Sequence, residues 1–92
     1  MFYALKDANA SLDYTINWAD WLASGDSLSE STWLVDGPDS GLSLDASGNT
    51  STTTTIWLSG GTSTYIYTVT NRVTSACGRI DDKSIRVTIY EQ

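Results

Sequence analysis

The sequence contains no histidine, a single cysteine, a single proline, and five basic residues against eleven acidic ones. Each shortage removes a class of function. Without His there can be no Ser-His-Asp or Cys-His catalytic arrangement and no Cys/His cluster for zinc. A lone cysteine, Cys77, cannot close an internal disulfide, so a disulfide-stapled fold is excluded and a reducing compartment is tolerated. The net charge of −6 opposes nucleic acid, whose phosphates call for clustered Lys and Arg. It equally opposes anionic membrane surfaces. No apolar run approaches the ~18–20 residues of a membrane helix, and the opening MFYALKDANA lacks the basic and apolar regions of a signal peptide.

What is present is aromatic bulk and hydroxyl side chains. Ninety-two residues with four Trp and five Tyr predict one domain, residues 1–92, with a thin core. Large rings help most in such a core, since each buries about 150–250 Å². Abundant Thr and Ser with few strong helix formers favour pleated sheet.

Residues 1–11 read as a lead-in or edge segment. Residues 12–18 alternate, with Leu12, Tyr14, Ile16 and Trp18 on one face, as in a half-buried strand. The period then breaks: Trp18, Trp21 and Leu22 stand at helical spacing, and Gly25 follows. One short helical turn near residues 19–23 is predicted. Residues 27–35 form a strand whose phase needs a bulge near Ser29–Ser31. DGPDSG at 36–41 is a turn cluster, LSLDA at 42–46 a short strand, SGN at 47–49 a hairpin turn, and 50–59 a Thr-rich strand. The run TYIYTVT at 64–70 alternates with Tyr65, Tyr67 and Val69 on one face. SACGRIDD at 75–82 reads as a polar connection, and 83–90 as a last strand with Ile85, Val87 and Ile89 inward.

Six or seven short strands with turns every 8–12 residues predict an all-β, immunoglobulin-like antiparallel β-sandwich; a small barrel is the rival. The predicted core is Tyr14, Ile16, Trp18, Trp21, Tyr65, Tyr67, Val69, Ile85 and Val87. Tyr65 is the candidate for a tyrosine corner. The segment WADWL reads as a plug closing one end of the sandwich.

The remaining chemistry is sparse. Cys77 lies near Arg79, which would lower a thiol pKa, but no base accompanies it. Asp81-Asp82, beside Arg79 and Lys83, reads as solvated turn charge with local ion pairs. DASGN at 45–49 lacks the spacing and terminal Glu of a calcium loop and reads as an Asx-type turn. No glycine-rich phosphate loop is followed by a helix. No catalytic residue, metal ligand or cofactor site is expected.

Three segments carry a resemblance: KDANASLDYTINWADWL (6–22), STWLV (31–35) and IWLSGGTSTYIYTVTNRVTSACGRIDDKSIRV (56–87). In order and pattern they resemble the small immunoglobulin-like structural proteins of tailed bacteriophages and prophages, the fiber–tail adaptor or neck/tail-associated proteins. The resemblance implies a non-enzymatic virion component that contacts other virion structural proteins, assembled in the bacterial cytoplasm, in several copies about a symmetric substructure. Within the matching segment, Asn71, Arg72, Arg79, Asp81 and Asp82 are expected either to order the last hairpin through an Arg–Asp pair or to touch a partner. The alternative from another class is a carbohydrate-binding module. That reading requires exposed Trp or Tyr in a row on one face, whereas an adaptor requires mostly buried Trp and a contact surface at loops or edges.

Overall fold

The structure is a computed structural model describing residues 2–90. It is all-β, with seven strands: β1 (Phe2–Asp7), β2 (Ser11–Asn17), β3 (Leu28–Asp36), β4 (Leu42–Asn49), β5 (Thr53–Gly60), β6 (Ile66–Ser75) and β7 (Ile80–Tyr90). They form a four-stranded sheet in the order β1-β7-β6-β3 and a three-stranded sheet in the order β2-β5-β4. This is the layering of an immunoglobulin-like sandwich of constant type, with the first strand moved to the opposite sheet.

The alternation seen in the sequence does what period two dictates. In β6, Tyr67, Val69, Asn71, Val73 and Ser75 all point inward and are buried, as are Ile85, Val87 and Ile89 of β7. Facing them across the sandwich are Ile16 of β2 and Thr54, Ile56 and Leu58 of β5. Each fully buried aliphatic side chain contributes roughly 1.5–3 kcal/mol.

The expectation of a purely antiparallel sandwich is corrected at β1, which runs parallel to β7, with Ala4 opposite Val87 and Lys6 opposite Ile89. The cause lies in the link at 8–10. Ala8 N donates to Tyr90 O at 2.8 Å and Ala10 N to Asp7 O at 3.0 Å. That tight turn carries the chain across to the other sheet instead of folding β1 back beside β2.

Strand limits also differ from the sequence reading. Residues 71–75 and 80–82 belong to β6 and β7, so the connection between these strands is only 76–79. Polar side chains disguised the alternation: Asn71 and Ser75 occupy inward positions normally held by apolar residues. Likewise 47–49, read as a turn, continues β4. The reversal comes at 50–52, where the Thr50 hydroxyl accepts from Thr52 N and Thr53 N at 3.2 and 3.0 Å. The bulge predicted near Ser29–Ser31 is found between Leu28 and Glu30. A second interrupts β4 between Leu44 and Ala46, at Asp45.

No helix occurs among the described residues. WADWL makes a single helical turn, with Trp21 N and Leu22 N both donating to Trp18 O at 3.0 and 3.1 Å, and then bends away.

Candidate functional site

At one end of the sandwich, Trp18 is fully buried and meets Trp21 edge-on, with ring centroids 5.3 Å apart. Its indole N–H donates to Thr54 Oγ1 of β5 and to Asn71 Oδ1 of β6, both at 3.1 Å. Thr54 Oγ1 donates to the same Asn71 oxygen at 2.6 Å. Asn71 Nδ2 donates to Ser31 Oγ and Thr32 O of β3, each at 2.9 Å. One buried network thus ties the plug to both sheets. Outside it, Lys83 Nζ lies 4.4 Å from the centre of the Trp18 ring. The Arg79 guanidinium sits 4.8 Å from the centre of Trp21 and donates to Trp21 O at 2.9 Å.

These contacts place the residues singled out in the sequence. Arg72 and Asp82 are register partners on β6 and β7 and form a two-pronged ion pair, at 2.7 and 3.0 Å. The Asp82 hydrogen bond raises the Arg72 pKa, and Arg72 holds Asp82 below the usual carboxylate range. Asp81 accepts from Asp82 N at 2.8 Å. Asn71 is buried, which corrects any role as a surface contact. Tyr65, expected in the core, is 38% exposed, because it precedes β6 in the turn opened by Thr64 at φ 74°. Tyr14 and Trp21 are half-buried at the rim of the core. Cys77 is exposed, and the hydrogen bond and charge of Asp26 raise its pKa, outweighing Arg79.

The corner-like hydrogen bond assigned to Tyr65 belongs to Tyr67 at the other end. Its hydroxyl accepts from Thr62 N at 3.0 Å and donates to Asp39. Gly37 lies against this ring, where an added Cβ would stand 2.3 Å from Tyr67 Cδ1. Asp39 also accepts from Thr62 Oγ1 at 2.6 Å and Gly41 N at 2.9 Å. Led by the Thr62 bond, these hold its carboxyl below the ordinary carboxylate range. Between the ordinary carboxylate value and the lower folded-state value the unfolded chain binds more protons, so stability is lost as pH falls through that window and is full above it. Asp39→Asn is expected to flatten part of this acid limb, as read by urea midpoints from pH 5 downward on wild type and variant (about pH 5 being where carboxylate linkage begins).

Lys6 was missed in the sequence. It is fully buried, on the inward phase of β1, and its ammonium donates to Gly60 O at 2.6 Å and Asp7 O at 3.0 Å. Burial pushes its pKa down, against Asp7 and Asp45.

The two outer faces differ. On the four-stranded sheet, Tyr3, Leu5, Leu34 and Ile66 are 73, 71, 64 and 49% exposed. Between them run Thr68, Thr70, Ser84, Arg86 and Thr88, the outward residues of β6 and β7. On the three-stranded sheet one large ring is exposed: Trp57, at 44%. Its neighbours Ile56 and Leu58 are buried, so the indole points outward. It stands opposite Asp13 on β2 and Ala46 on β4, beside the bulged Asp45. A depression of 290 Å³ beside it is lined by Ala46 to Thr50, Thr53 and Thr55.

A family model described as Podophage GP4 fiber-tail adaptor protein gp77 matches residues 6–88. The chain belongs to this family. Membership gives it the role of a structural adaptor that is part of a phage virion and binds other virion proteins. No curated protein matches the chain. No helix among the adaptor's described residues is long and apolar enough to cross a membrane. The adaptor's three other tryptophans are buried or half-buried, and Trp57 is the sole exposed ring on its face. The run Ile56-Trp57-Leu58 hid that exposure in the sequence, since three consecutive apolar residues show no alternation. Phase counted from Thr54 would have found it.

Proposed function

We propose that this adaptor is a passive, single-domain joint between tail and fibre that binds one neighbour on each outer face and performs no bond-making chemistry. The observation that supports it most is the pairing of two exposed surfaces on opposite sides of one thin sandwich. One displays Tyr3, Leu5, Leu34 and Ile66, the other Trp57. Large apolar side chains left in water among polar ones offer contact points to a partner, and Trp is enriched at the energetic centres of interfaces. Two neighbours gripping opposite faces are held at a spacing set by the sandwich. The partners are protein rather than nucleic acid or anionic membrane, consistent with the charge of −6. Several copies act together, around a symmetric part of the virion.

The test is genetic and visual. Leu5→Lys with Leu34→Lys on one face, and Trp57→Ala on the other, each change exposed positions and are expected to leave stability within about ±0.5–1 kcal/mol. Virions carrying either variant are expected to show tails without fibres by electron microscopy. Full fibre complements on both variants would refute the two-faced joint.

A further inference from the structure

The Trp57 face has a chemistry of its own. Its outward residues are Ser11, Asp13, Thr15 and Asn17 from β2, and Thr53, Thr55, Trp57 and Ser59 from β5, following their register. Thr15 and Thr55 bond through their hydroxyls at 2.9 Å, confirming that this phase faces outward. Ser43, opposite Ser59, donates to Asp45 at 2.7 Å, which sets the Asp45 carboxylate on the same side. Hydrogen bonds from Ser59 and Ser43 hold it below the ordinary carboxylate range. Trp57 therefore has Asp13 directly across on β2 and Asp45 diagonally across on β4, toward Ser59, on strands about 4.7–4.9 Å away.

Among the described residues no cation forms an ion pair with Asp13 or Asp45. Lys6 is buried and acts on Asp45 from inside the sandwich without an ion pair, Arg72 is paired with Asp82, Arg79 and Lys83 cover tryptophans, and Arg86 stands near Tyr3 on the opposite sheet. The one salt bridge among the described residues is Arg72–Asp82. A ring open to solvent beside two carboxylates, neither of them in an ion pair, is complementary to a cation on a flexible stem. The indole face attracts it through the ring quadrupole, each carboxylate through charge-assisted hydrogen bonds. The same charges repel a second copy of this face.

We propose that this face docks a basic segment of a partner protein, laying an Arg or Lys side chain on Trp57 between Asp13 and Asp45, with neighbouring residues entering the depression at Ala46 and Gly48. The inference rests on the adaptor reading and adds the partner's chemistry to it.

The four indole N–H signals of the isotope-labelled protein provide the readout, with Trp57 assigned by its loss in Trp57→Phe. Three probes are titrated: a short Gly/Ser peptide carrying two Arg, the same peptide with Gln for Arg, and a neutral oligosaccharide, chitohexaose. The Arg peptide is expected to shift the Trp57 signal and leave that of Trp18 unmoved. Binding is expected to weaken about tenfold in Asp13→Asn/Asp45→Asn and to weaken with added salt. Equal binding of the Gln peptide, a response to the oligosaccharide instead, or no response to any probe would overturn the proposal. Fibre counts on Trp57→Ala virions separate the two readings. Fibre loss without Arg-peptide binding leaves the adaptor face standing and removes its basic partner. Intact fibres with peptide binding remove the face from fibre attachment.

Discussion

Trp18→Ala is expected to destabilise the protein by about 3–5 kcal/mol, the usual range for removing a large ring from a core. In a chain of this size that lowers Tm by more than about 12 °C, read by circular dichroism melting. Three losses combine. The fully buried indole leaves a cavity where both sheets converge. Its edge-on contact with Trp21 at 5.3 Å disappears, which is worth about 0.5–1.5 kcal/mol beyond burial. The N–H that reaches Thr54 and Asn71 is gone. Trp18→Phe separates these terms, since it retains a ring and removes the donor. It is expected to cost about 1–3 kcal/mol, the range for unbalancing buried polar partners. A melting curve unchanged by Trp18→Ala would show that WADWL does not close the core.

The plug was legible because two local signals coincide at Trp18. The period-two run from Leu12 ends there, and the i, i+3, i+4 spacing of Trp18, Trp21 and Leu22 begins there. A strand ending on a buried ring followed by a single turn is what those two periods require. The rest of the alternating pattern was legible for the same reason: Ile16, Tyr67, Val69, Ile85, Val87 and Ile89 stand among apolar–polar repeats, and all are buried.

What the pattern could not carry is pairing and exception. Parallel pairing of β1 with β7 depends on a turn at 8–10 that crosses the sandwich, and hydrophobic phase is blind to which strand becomes the neighbour. Inward polar residues run against the pattern. Asn71 and Ser75 shortened β6 on paper, and Lys6 gave no sign of burial because a lysine on an edge segment is ordinarily solvated. Its burial becomes intelligible only when β5 ends beside it and offers Gly60 O at 2.6 Å. The Trp57 face was out of reach for a related reason. Asp13, Asp45 and Trp57 are far apart in sequence, and only the β2–β5–β4 register, shifted by the bulge at Asp45, brings them to one face. A reading that stops at residue spacing finds strands; a site shared by three strands needs the register.

Asn71→Ala is expected to cost about 2–4 kcal/mol, combining the loss of buried volume with the stranding of its partners. Asn71 is the hub of the buried network: it accepts from Trp18 and Thr54 and donates to Ser31 and Thr32 O. Without it, Thr32 O loses that side-chain donor, and the Trp18 N–H keeps Thr54 alone. Water cannot readily take its place, since Asn71, Thr54 and Trp18 are all 0% exposed. The diagnostic measurement is a double-mutant cycle with Thr54→Val, using urea denaturation. Residues sharing one network couple by about 0.5–3 kcal/mol. The double variant is therefore expected to be less destabilised than the sum of its parts, because each single change has already broken the 2.6 Å Thr54–Asn71 bond. Additivity within about 0.3–0.5 kcal/mol would mean that the sheets are joined by independent contacts rather than by a single polar clasp across the core. Coupling would locate the sandwich's specificity in this clasp: an inward asparagine in β6 fits one register of β3 and one of β5, while a valine there would tolerate several.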